Sequence, residues 1–100
     1  MAEVLTIEEL RTRIDVIDEQ LLRLLNVRVA CAVEVGRLKH EAGLPIYQPE
    51  REAQVLGRVR QSATALAGPL TAEAVVRIFE RVIDEARRAE REASSRRDEL

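Results

Sequence analysis

Arg28 interrupts an otherwise apolar seam, and it is one of several charged residues in this 100-residue sequence whose spacing has chemical consequences. Leu10, Ile14, Ile17, Leu21, Leu24, Cys31, Val35 and Leu38 recur in alternating steps of four and three, the spacing of a single helix face. A guanidinium on that face is costly to bury unless it meets an anion. Lys39 follows Arg28 by eleven residues, and at about 100° per residue the two fall within about 20° of each other, three turns apart. Arg51 and Glu52 come just after a turn, so a folded-back hairpin brings them toward the same stripe. Three cations and a carboxylate beside an apolar seam suit a small dianion that bears a hydroxyl. Arginine forks match carboxylates, and a carboxylate accepts from a hydroxyl. An interhelical ion pair is the competing reading of Arg28.

Arg11 and Glu90 stand apart from this group. Arg11 precedes Arg28 by seventeen residues, about 25 Å along one helix, too far for a metabolite-sized ligand to touch both in one chain. A role for Arg11 therefore requires a site completed by a second chain. Glu90 follows Ile83 by seven and Ala86 by four, at the end of a third apolar face, and reads either as a site carboxylate or as an exposed helix end. Cys31 reads as a small packed hydrophobe, and His40 as a solvated residue in the last turn of a helix. With one histidine, one cysteine and no glycine-rich phosphate loop, the usual parts for nucleophilic, zinc and nucleotide chemistry are missing. What remains is a reaction that needs no nucleophile.

Three helices are expected to hold these residues. Thr6-Ile7-Glu8-Glu9 has the form of a capping box, and Gly43-Leu44-Pro45 a terminator, so the first helix spans about 7–41. Its length of about 50 Å is twice the diameter of a compact 100-residue domain, so its own chain cannot cover it. Pro49 at a first helical position opens the second helix, with Val55, Leu56 and Val59 as its stripe. Gly68-Pro69 closes it, and Thr71 caps a third helix carrying Val75, Ile78, Phe79, Val82, Ile83 and Ala86. Residues 91–100 are almost without apolar side chains and are expected to form a charged, disordered tail to a domain of residues 1–90. The class is all-α, with an intertwined homodimer as the expected assembly.

Composition removes other classes. Sixteen Lys and Arg against eighteen Asp and Glu give a formal net charge of -2, which argues against nonspecific nucleic-acid binding. No apolar run approaches a membrane span, and MAEVLTIEEL carries acids where a secretory signal has bases. The closing Arg-Asp-Glu-Leu has the form of an endoplasmic-reticulum retention address and is read as coincidence. A single cysteine fits a reducing cytoplasm.

The run Leu10-Arg11-x-x-Ile14-Asp15-x-Ile17-Asp18-x-x-Leu21-Leu22-x-Leu24-Leu25-x-x-Arg28 resembles the all-helical chorismate mutases of the shikimate pathway. So do Val33-Glu34-Val35-Gly36-x-x-Lys39, Pro45-Ile46-x-x-Pro49-x-Arg51-Glu52 and Ile78-Phe79-x-x-Val82-Ile83. In that family two chains interlock, and each long first helix serves two equivalent sites. The resemblance implies that Arg28 binds one carboxylate of chorismate and Arg11 of the second chain binds the other. It implies that Lys39 donates to the ether oxygen and a carboxylate, that Glu52 accepts from the ring hydroxyl, and that Arg51 lines the pocket and holds nearby acids. Neither a cofactor nor a metal is implied.

Three positions depart from the best-known bacterial pattern. Gln48 stands where an aspartate often helps hold the hydroxyl, Ala86 where a serine often lies, and Glu90 where a glutamine commonly donates to the ether oxygen. Fungal relatives also carry a glutamate at that last position. Two other readings accompany the mutase: an isochorismate-pyruvate lyase on the same scaffold, and a noncatalytic helical dimerisation or regulatory module. An activating partner enzyme and feedback by Phe or Tyr lie outside what the residues indicate.

Overall fold

The computed structural model describes residues 4–99; the first three residues of the N-terminal stretch, and Leu100 of the retention-like ending, lie outside the described residues. Among the described residues the chain is three helices: α1 (Ile7–Glu41), α2 (Pro49–Ala65) and α3 (Ala72–Asp98). Local chemistry sets their starts. Thr6 Oγ1 accepts from the Glu9 amide at 3.1 Å while Glu9 Oε2 accepts from the Thr6 amide at 2.9 Å, the expected capping box. Gly43 takes φ 72°, a left-handed conformation that ends α1 and lets the Leu44 amide reach back to the Lys39 carbonyl at 2.8 Å. Thr71 Oγ1 accepts from the Ala74 amide at 3.0 Å to open α3.

α3 packs against both α1 and α2, and among the described residues α1 and α2 do not pack on each other. Ile83 and Ala86 are the buried apolar centre of α3. Gly36 is the buried residue of α1, and a Cβ there would sit 3.2 Å from Glu90 Oε2 and 3.3 Å from its Cγ. Glycine inside a helix costs roughly 1 kcal/mol relative to alanine. Here it lets α3 approach α1 where Glu90 lies.

The end of α3 differs from the sequence expectation. Residues 91–98, expected in a disordered tail, continue the helix. Ala93, Ser94 and Arg97 are half-buried, one and two turns beyond Glu90, and so prolong the packed stripe with small and polar side chains. A count of large apolar residues does not register such a stripe.

α1 outruns its own chain. The molecule measures 60 × 29 × 16 Å, and its radius of gyration of 17.7 Å exceeds the ~13 Å of a compact chain this long. Its accessible surface of 8130 Å² compares with about 5,700 Å² for a monomeric protein of 11.3 kDa. The excess lies where the apolar seam is bare: Leu10, Ile14, Ile17, Leu21 and Leu24 are between 44% and 66% exposed. No helix among the described residues is long and apolar enough to cross a membrane.

Candidate active site

The uncovered seam ends at a cleft of about 290 Å³ between α1 and α2, with α3 as its floor. α1 contributes Arg28 and Lys39; the α1–α2 loop and the start of α2 contribute Gln48, Arg51 and Glu52. Ala86 and Glu90 come from α3. Every residue singled out in the sequence as a site candidate except Arg11 lines this one cleft. Arg11 is exposed on α1, about 25 Å from Arg28 along the helix.

Each charged group has a distinct environment. Arg28 is half-buried, and no carboxylate among the described residues pairs with it, so its guanidinium is free to meet an anion. The Lys39 ammonium donates to the Ile46 carbonyl at 2.9 Å, which pins it to the loop that closes the cleft. It also lies 3.6 Å from Glu90 Oε2, an ion-pair distance beyond hydrogen-bond length. Gln48 caps α2 through its backbone, the carbonyl accepting from the Arg51 and Glu52 amides at 3.1 and 3.2 Å.

Glu90 is buried, not an exposed helix end, with its side chain 10% accessible. Among the described residues nothing donates to its Oε2. Burial raises the Glu90 carboxyl above its ordinary value; Lys39, and more weakly Arg87, pull it back down, and Glu52 adds to the rise. A protonated Glu90 would present a donor to the cleft.

Two expectations are corrected here. Arg51 does not hold an acid: it is exposed and donates to Gln54 Oε1 at 2.6 Å. The guanidinium that grips Glu52 belongs instead to Arg87, a residue with no spacing signal in the sequence. Cys31 is exposed at the cleft wall, not packed, because the seam it belongs to is bare in one chain.

The sequence matches the family described as chorismate mutase type II over residues 10–91. The chain belongs to that family. It is 41% identical over 78 residues to the bifunctional chorismate mutase/prephenate dehydratase of Aquifex aeolicus, an overlap of 77% of this chain and 22% of that protein. The chorismate mutase of Thermus thermophilus, in its form II structure, superposes with a TM-score of 0.80 at 32% identity, covering 85% of this chain and 93% of that one. The chorismate mutase of Helicobacter pylori, solved in complex with prephenate, gives 0.79 at 30% identity, with 89% and 93% covered. This chain spans less than a quarter of the bifunctional relatives it matches and nearly all of the solved chorismate mutases.

In this chorismate mutase family chain the three departures noted in the sequence, Gln48, Ala86 and Glu90, all face the cleft. Ala86 is only 4% exposed and brings a methyl group, not a hydroxyl, to the packed floor. The groups that sequence reasoning missed are Arg87, Tyr47 and the Ile46 carbonyl. Each depends on how separate elements meet in space, the loop with α1 at Ile46, the loop with α3 at Tyr47 and α2 with α3 at Arg87, which no local pattern encodes.

Proposed function

We propose that this chain rearranges chorismate to prephenate, as a homodimer whose two sites each draw on both chains. The observation that carries the reading is the convergence on one cleft of Arg28, unpaired among the described residues, loop-anchored Lys39 and buried Glu90. The reaction is a unimolecular Claisen rearrangement, so catalysis consists of folding the enolpyruvyl arm over the ring and stabilising charge as the ether bond breaks. Arg28 and the partner subunit's Arg11 hold the two carboxylates and fix that folded shape. Lys39 and a protonated Glu90 donate to the ether oxygen, where negative charge grows. Glu52 accepts from the ring hydroxyl, and Arg51 and the Gln48 backbone complete the rim. The rearrangement itself requires no nucleophile.

The excess surface of about 2,400 Å² per chain is of the size that obligate homodimers bury, which supports the two-chain site. The catalytic unit on this reading is the three-helix domain, with α3 running past the expected boundary at residue 90, and a cytoplasmic setting goes with the substrate. The test is disappearance of chorismate with appearance of prephenate; faster pyruvate release from isochorismate would favour the lyase reading instead.

Arg28→Lys provides a sharper check. A point charge cannot reproduce the planar fork on a carboxylate. The expected loss in kcat/KM is at least ~2 kcal/mol, about 30-fold, the scale of a charge-assisted hydrogen bond. Near-parental activity would exclude the bidentate role and revive the noncatalytic reading of the cations.

A further inference from the structure

Glu52 and Arg87 lie 35 residues apart in sequence, yet they meet inside the cleft in a two-pronged pair. Arg87 Nε donates to Glu52 Oε2 at 3.2 Å, and Nη2 donates to Oε1. Both side chains are mostly sheltered, 22% and 24% exposed, so solvent screens the pair less than a surface one. The Arg87 guanidinium also lies 4.9 Å from the centre of the Tyr47 ring, which stacks it from the loop side. Asp84, a turn earlier on α3, stands 3.6 Å from Nη1. Arg87 is therefore held by three separate elements: the loop, α2 and its own helix.

We infer that Arg87 is a positioning residue that fixes the Glu52 carboxylate for the substrate hydroxyl. This rests on the chorismate reading above. Because α1 and α2 do not pack together among the described residues, the place of Glu52 relative to Lys39 and Arg28 is set through α3 and through the loop that Lys39 bonds at Ile46. The Arg87 fork is the α3 link at the level of the cleft. An ionised carboxylate offers about four lone-pair positions; a two-pronged guanidinium takes one on each oxygen and leaves the others to accept a hydroxyl. The fork thus turns a three-torsion side chain into a fixed acceptor. It also neutralises Glu52, so that a dianionic ligand enters without meeting a bare negative charge.

The consequences separate from those of a structural strut. Arg87→Gln is expected to lower kcat/KM about tenfold to a hundredfold, the factor that follows misplacement of a substrate-orienting group. Arg87→Lys restores the charge without the fork and stays well below the parent. Glu52→Gln shifts kcat and KM in the same proportion as Arg87→Gln. The Arg87→Gln/Glu52→Gln double variant is no worse than the poorer single, because the two residues act as one unit.

The experiment is this set of variants assayed on chorismate, with helicity and assembly state checked by circular dichroism and sedimentation. An active parent whose Arg87 and Glu52 effects do not multiply supports the inference. An active parent with Arg87→Gln and Arg87→Lys at parental activity, or with effects that multiply, overturns it alone. A parent inactive on chorismate overturns the functional reading, and this inference with it.

Discussion

Mixing Arg11→Ala and Arg28→Ala chains, each nearly inactive alone, should restore about half the parental activity per heterodimer, because a two-fold assembly then carries one doubly damaged site and one intact site. The argument is geometric. α1 is one continuous 35-residue helix, and Arg11 lies about 25 Å from Arg28 along it. The cleft collects Arg28 and Lys39 at one end, while the seam running back to Arg11 is bare: Leu10 is 44% exposed and Ile14 53%. A second copy laid antiparallel on that seam would cover it and carry its own Arg11 toward the cleft. Each lesion alone removes one carboxylate clamp from both sites, so the starting activities are low and the recovery is large. Exchange of chains must be shown independently, by mass-tagged subunits. Verified exchange without recovery would refute the shared site, and activity from a monomer would refute the assembly.

The elements were legible because their signals are local. The Thr6–Glu9 box and Thr71 mark helix starts through bonds to residues three away, Pro49 through its fixed φ at a first helical position, and Gly43 marks a stop through its own backbone conformation. Arg28 and Lys39 were legible as a pair because helical periodicity alone puts them on one stripe. What stayed hidden depends on register between helices. Nothing local indicates that Glu52 faces Arg87, and the task expected of Arg51 passed to Arg87 because α3 presents that side chain across the cleft. The extension of α3 through 91–98 was hidden for a different reason. Ala93 and Ser94 pack closely by being small, and Gly36 opposite Glu90 shows that this interface favours small residues over large apolar ones.

Activity should rise as pH falls from 8 toward 5, by up to about tenfold per unit above the Glu90 pKa, and Glu90→Gln should flatten that profile. An ionised carboxylate cannot donate to the ether oxygen and repels the charge that grows there. On the proposed mechanism Glu90 works in its protonated form. Burial is the main influence raising its pKa, opposed first by Lys39 on α1 and then by Arg87 on α3, with Glu52 on α2 adding to the rise. Two carboxylates of bound substrate would raise it further. Glutamine keeps a donor at every pH, so at pH 8 the variant should match or exceed the parent. Stability gives a second reading with a fixed sign. A carboxyl whose pKa is raised on folding binds more protons in the folded state, so its contribution is fully present below the unfolded value and declines as pH climbs through the raised one. Subtracting the Glu90→Gln unfolding curve from the parent's isolates that decline from the carboxylates held low elsewhere, such as Glu34 beside Arg37. A profile and a difference curve both indifferent to the substitution would remove Glu90 from the site. Lys39, fixed by the Ile46 carbonyl, would then be the sole donor to the breaking bond.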